Sequence, residues 1–397
     1  MALVEQLKAR GYRVLLADYL ASPPAARVAD EHVRVSTLAM DDVVALAQAT
    51  KARLVIATCV DRANVTAAYV AERLGLPSPY SHATAARIAN KLAMKQRLVE
   101  RGIPTAPFAA VRSADEAAQL PLSFPVVVKP IDTGGSKGVR KATNRDALHV
   151  AVEDAFKVTH ADTVIVEAFL DGDEVGADCF VQDGALHVLL LRRKYVMSGR
   201  DGEVLATYAS LCPAPIPARM EAAIVDATRA IVHAFDLRTT PLLAQFIVDG
   251  NEARVIEFAP RVGGGTNHRQ VLLRTGVDIV AAAIDSYVGK TTPLAPRRVP
   301  GCSASVHLYA HAGCFGDIRH ADELISRGVI EGVYPHKAWG AQIGPGMSSS
   351  DRVASLVVSA DSFEMLLGKV RAAVETIDVV DVEGNSILRR DVYLKKL

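Results

Sequence analysis

Apolar positions in the first 80 residues alternate between two periods. Ala2 to Arg10 repeats on a helical period, and Tyr12 to Tyr19 reads as a buried strand ending at Asp18. Asp41 to Ala52 is again helical, Leu54 to Cys59 reads as a strand, and Asp61 to Leu74 as a helix. Strands alternating with helices predict a parallel sheet with helices on both faces. Such a layer ordinarily opens with a strand and a turn before its first helix; here that strand is absent or lies upstream of Met1. Gly75 to Tyr80, with Pro77 and Pro79, punctuates like a domain boundary.

Beyond the boundary, Ser81 to Arg101 predicts one long helix, with Ile88, Leu92 and Leu98 on one face and Gly102 and Pro104 as its stop. Val126, Val127 and Val128 form a strand that carries Lys129 to its end. Val164 to Val166 form another, followed by Glu167, Ala168, Phe169 and Leu170, a turn at Asp171-Gly172-Asp173, and Glu174 entering the next strand. Leu242 to Val248 and Ala253 to Phe258 read as a hairpin about Asp249-Gly250-Asn251. Period two puts Gln245 and Glu257 among apolar neighbours, and a loop of odd length brings them side by side. Towards the carboxy terminus, residues 344–377 read as a turn, a strand and a helix.

Composition narrows the classes. A chain of 397 residues exceeds one ordinary core, so two or three domains sharing a cleft are expected. A net charge of +1 and scattered basic residues argue against nucleic acid or an anionic membrane as partner. Five cysteines without C-x-x-C spacing fit a reducing cytoplasm rather than a disulfide or zinc framework. No apolar run reaches membrane-spanning length, and the first residues lack a secretion signal.

The chemistry gathers in four places. Lys129 is a point charge suited to phosphate oxygens, and Gly134, Gly135, Ser136, Lys137 and Gly138 after it offer backbone N–H groups as a nest. A flexible hairpin is the competing reading. Lys91 lies on a helix, where a solvated face is the ordinary explanation. Arg192, Arg193 and Lys194 either add charge to a triphosphate or form a solvated edge. Gln245 and Glu257 are costly inside apolar strands unless something binds them, and their oxygens suit magnesium bridging phosphates. Arg261 follows four residues after Glu257, then a turn of three glycines through Gly265. A buried Gln with a Glu–Arg ion pair is the alternative. No G-x-G-x-x-G follows the first visible strand, and no G-x-x-x-x-G-K-[ST] is present, which disfavours a dehydrogenase and a P-loop kinase.

Taken in order, Asn90-Lys91, Lys129 with TGGSKG, Glu167 to Leu170 with Glu174, then Gln245, Glu257 and Arg261 closely resemble the ATP-grasp superfamily, over essentially the whole chain. The resemblance implies an ATP-grasp fold of α/β character with α+β lobes. It implies a Rossmann-like first domain over 1–80, an ATP-grasp domain over 81–295 with a mobile lid at about 108–180, and an α+β cap over 296–397. Lys91, Lys129 and Gly134 to Gly138 would hold the phosphates of ATP. Glu167, Ala168, Phe169 and Leu170 would read adenine, and Glu174 the ribose. Gln245 and Glu257 would bind magnesium, or manganese in its place, the glutamine resembling carbamoyl-phosphate synthetase. Arg261, a catalytic candidate with Lys129, resembles amino-acid ligases of the bacilysin-synthetase type. Gly264, Gly265 and His268 would line the substrate pocket.

One departure concerns Ala259, where the family usually has asparagine; water or Asn267 would have to replace that metal ligand. The resemblance implies ATP-dependent joining of a carboxylate to an amine through an acyl phosphate, on small-molecule substrates, by a cytoplasmic protein, with a homodimer as the assembly. The alternatives are a bicarbonate- or formate-activating enzyme, and a nucleotide-binding protein without ligase chemistry.

Overall fold

A computed structural model describes residues 1–198, 204–291, 293–346 and 348–393. Its centre is an eight-stranded antiparallel sheet. From one edge the strands run Ala253–Ala259, Thr240–Val248, Asp173–Gln182, Ala185–Ser198, Val204–Cys212, Cys302–Leu308, Ala354–Ala360 and Gly332–Pro335. Alternation gives the sheet two faces. Val175, Ala177, Cys179 and Val181 pack with Met220, Ile224 and Ile231 of the helix Ala218–Ala234. Glu174, Gly176 and Asp178, one residue out of phase, occupy the opposite, polar face.

A four-stranded antiparallel sheet stands against this face, in the order Phe108–Val111, Val164–Ala168, Val126–Pro130, Arg140–Ala142. Val111, Val126, Val128, Val164 and Val166 pack under Leu148 and Val152 of the helix Arg145–Phe156. Lys129 and Glu167, on the intervening positions, face the other way. The cleft between the two sheets is where Lys129 acts on Glu257 of the large sheet.

The carboxy-terminal strands are hydrogen-bonded into the large sheet, Ser303 opposite Cys212, so the sheet continues unbroken past residue 296. The helix Phe363–Thr376 covers them through Leu366, Val370 and Val374.

Three local expectations are corrected. The expected helix Ser81 to Arg101 is two helices, His82–Ala89 and Lys91–Glu100. Asn90 sits between them at φ −87°, ψ 108°, and its side chain accepts from the Ala93 N–H, starting a new helix at Lys91. Leu54 to Cys59 has no ladder partner among the described residues. The parallel pair Leu15–Ala17 and Glu31–Val33 forms a sheet of its own. Leu54 and Ile56 instead pack on Val4, Leu7 and Ile284.

The hairpin loop, Asp249 to Glu252, has an even length. A β-bulge between Gln245 and Phe246 shifts the register by one and sets Gln245 opposite Glu257 all the same.

Candidate active site

Four strands of the large sheet bring a row of residues onto its polar face. Glu257 pairs with Gln245, Gln245 with Gly176, and Gly176 with Arg192. Gln245 Nε2 donates to Glu257 Oε1 at 2.7 Å. Lys194 Nζ donates to Glu174 Oε1 at 2.6 Å and also to Gln245 Oε1. Lys91 Nζ stands 3.7 Å from Glu257 Oε2 and donates to the Thr133 carbonyl. The Glu257 side chain keeps 38% exposure because it faces the cleft, although protein surrounds it on the other sides. Burial pushes its carboxyl up, but Lys91, Lys129, Lys194 and Arg261 together outweigh this and bring it down to about 2. The carboxylate is thus held in its charged form, in which both oxygens only accept.

Two side-chain oxygens, one carboxylate and one amide, fit a magnesium ion that completes its shell with water and phosphate oxygens. Ala259 offers none, and among the described residues no group of three His, Cys, Asp or Glu side chains could hold a metal. Asn267 does not replace the missing ligand. It is buried, with its Nδ2 directed at Asp178 Oδ1 at 3.4 Å.

Across the cleft, Lys129 Nζ binds Glu167 Oε2 at 2.8 Å, and Lys95 Nζ approaches Glu167 Oε1 at 3.3 Å. Lys95 also donates to Thr105 Oγ1 at 2.6 Å, and Thr105 to the Val255 carbonyl at 2.7 Å. Glu167 is thus buried, with its carboxylate held between two lysines. Burial, more than its neighbours, brings the Lys95 ammonium down to about 8. The N–H groups of Ala168 and Phe169 are already bonded, to Pro107 and Pro125 carbonyls. Phe169 carries Lys141 Nζ over its ring at 3.5 Å.

The glycine loop lies over the cleft. Gly135, Ser136 and Gly138 all have positive φ, the hallmark of a nest. A Cβ on Gly135 would fall 2.3 Å from Ser349 Oγ, so the loop touches the carboxy-terminal segment. Arg261 is engaged: Nε donates to Asp61 Oδ1 at 2.8 Å, Nη2 to Asp61 Oδ2 at 3.4 Å, and Nη1 to the Val262 carbonyl. Gly264 and Gly265 form the turn beyond it. His268 is not brought into the cluster. Burial and Arg269 keep it neutral, at about 4, with Asp278 and the amino terminus as its other charged neighbours.

The chain is similar to several known ligases. Residues 98–257 match the family model described as the D-ala D-ala ligase C-terminus. The structure superposes on an L-amino acid ligase from Bacillus licheniformis with a TM-score of 0.80 at 22% identity, covering 96% of this chain and 95% of that one. The chain has the fold of the ATP-grasp ligases and is similar to them in sequence over residues 98–257. Among curated ATP-grasp relatives, the phosphoribosylamine–glycine ligase of Chlorobaculum tepidum is 27% identical over 78% of this chain and 76% of its own length. The D-alanine–D-alanine ligase of Pelobacter propionicus is 30% identical over 47% of this chain and 60% of that enzyme. Lys95, Asp61 and Asp178 were missed from sequence. Only Lys95 carried a local signal, one helical turn after Lys91; the others reach the site through distant pairings.

Proposed function

We propose that the protein is an ATP-dependent carboxylate–amine ligase that activates a carboxylate as its acyl phosphate, releases ADP, and forms an amide on an amino acid substrate. The observation that carries the reading is the ring of Lys91, Lys129 and Lys194 about the Gln245–Glu257 pair. A free carboxylate resists amine attack because oxide is a poor leaving group, and phosphorylation supplies a better one. Lys129 and Lys91 would hold phosphate oxygens, the N–H groups of Gly134 to Gly138 would close over them, and Glu174 would take the ribose. Gln245 and Glu257 would hold magnesium, which when bound spreads the charge on the phosphates. The glycine loop would exclude the water that hydrolyses an acyl phosphate.

The reading includes a first domain over 1–80, an ATP-grasp domain over 81–295 with residues 108–180 as its lid, and a cap over 296–397. It also includes a cytoplasmic location and assembly as a homodimer. Among the described residues no helix is long and apolar enough to cross a membrane. Hydroxylamine trapping tests the reaction: ATP, magnesium and candidate acids should yield the hydroxamate together with ADP. ADP release without hydroxamate from any acid that stimulates it would overturn the acyl-phosphate step.

A further inference from the structure

Three side chains stand where the large sheet, the glycine turn and the carboxy-terminal strands join, with Arg192 and Arg352 near enough for their charges to act on His307. Each keeps a nitrogen without an acceptor among the described residues. Arg192 is 1% exposed, its Nε bonded to Asp178 Oδ2 at 2.5 Å and its Nη2 enclosed and unpaired. That Nη2 lies over Gly176, 3.2 Å from where a Cβ would stand, and Gly176 is the cross-strand partner of Gln245. Arg352 is held by Nε to Tyr309 Oη at 3.0 Å and by Nη2 to the Thr207 carbonyl at 3.1 Å. Its remaining Nη1 lies toward Gly265. His307 is 4% exposed and fixed through Nδ1 to Ser355 Oγ at 2.7 Å, which also meets His336 Nε2 at 2.7 Å. Its ring Cε1 stands 3.1 Å from the Cβ position of Gly265, and among the described residues the hydrogen bond of the ring is the one through Nδ1.

An enclosed guanidinium N–H without an acceptor is destabilising until an acceptor arrives. The charged groups facing His307 are Arg352, Arg192 and Lys194, with His336 beside them. Burial and these cations keep His307 well below its ordinary range and bring His336 to about 4. Arg261, the residue expected to hold a substrate carboxylate, is already neutralised by Asp61. Arg192 is likewise paired with Asp178, whereas Arg352 has only neutral partners, Tyr309 Oη and the Thr207 carbonyl, so among these arginines the charge without a carboxylate partner is that of Arg352.

We propose that Arg192, Arg352 and His307 form a subsite for a carboxylate of the substrate, beside the Gln245–Glu257 row. Planar guanidinium groups match a carboxylate in two-point contact, and His307 adds a neutral ring donor from Nε2. The exposed Gly265, at φ +65°, leaves room that a side chain would fill. The inference rests on the ligase reading, which names a carboxylate as substrate. Inorganic phosphate offers similar oxygens, so the test separates the two.

The experiment follows histidine ring signals of the full-length protein by NMR while acetate or inorganic phosphate is added, with H307Q identifying the His307 resonance. Acetate should move that resonance and raise its titration midpoint. R352Q and R192K should each weaken the acetate response about tenfold, the loss of one charge-assisted hydrogen bond. Should R192K fail to fold, R352Q alone carries the comparison, because Arg352 is only half-buried. A response to phosphate and none to acetate overturns the assignment, as does an acetate response that survives the substitutions. MgADP binding to the unaltered protein is measured alongside. Acetate binding at His307 without MgADP binding would overturn the ligase reading and leave the subsite standing; the reverse would overturn the subsite alone.

Discussion

Arg261 and Asp61, 200 residues apart in sequence, form a two-point ion pair with Nε–Oδ1 at 2.8 Å and Nη2–Oδ2 at 3.4 Å. Asp61 is the first residue of the helix Asp61–Leu74, so the amino-terminal layer fixes the orientation of an arginine four residues after Glu257. Burial works against the Arg261 charge, but Asp61 more than restores it. Removing the carboxylate with D61A should leave the arginine charged and free to turn. The expected outcome is a fall in kcat/KM of about tenfold, the scale of one charge-assisted contact. MgATP affinity, read by calorimetry, should be nearly unchanged; a large loss of nucleotide affinity would contradict a positioning role for Asp61.

Glu257 should be replaceable only at great cost to turnover. E257Q keeps the shape and removes the charge that draws in Lys91 and that would draw in magnesium, and kcat should fall about 100-fold or more. The sign of the acid dependence follows from the depressed carboxyl. Its stabilising contribution is fully present above the unfolded value and is lost as pH falls through about 2. Wild-type and E257Q melting temperatures should therefore converge on acidification. Parallel curves down to the acid transition would contradict the charge ring.

The fold was legible in sequence where its signal was local. The Val126–Val128 strand, the hairpin bearing Gln245 and Glu257, and the final strand and helix all announce themselves by period and turn residues. The break at Asn90 was not legible, because Ser81 to Arg101 keeps helical periodicity on both sides and only a side-chain cap divides it. Nor was the bulge at Gln245, because an irregularity of register leaves no trace in composition. Among the residues expected at the site, Lys91, Lys129, Gln245 and Glu257 come together in space. Arg261 is paired, Glu167 is held between two lysines and His268 lies elsewhere, since each answers to a neighbour from a distant segment.

Lys95 makes a stability prediction at the other end of the pH scale from Glu257. Its ammonium is brought down to about 8, so below that value the folded state carries a buried charge. Between about pH 8 and about pH 10.5 the unfolded chain holds a proton that the folded chain has released, and stability rises with pH across this window. K95M should remove that rise. Urea midpoints at about pH 7.5 and about pH 9.5 check it; an unchanged pH slope in K95M would assign the rise to another group.

The contact between Gly135 and Ser349 makes the glycine loop sensitive to one methyl group. Gly135 has φ +66°, and an added Cβ would overlap Ser349 Oγ. G135A should strain the backbone by about 1–2 kcal/mol in addition to the clash, and raise the KM for ATP. Combining it with S349G should recover the part due to the clash and leave the part due to φ. No recovery in the double variant would show that the loop does not rest on Ser349 during turnover.

The central claim is met most directly by product analysis. ATP, magnesium and pairs of amino acids are incubated with the full-length protein, and nucleotides and condensation products are followed by mass spectrometry. The account predicts ADP, phosphate and a product lighter than its two substrates by one water, all lost in K129A. AMP with pyrophosphate, or the same product made by K129A at the ordinary rate, would contradict it.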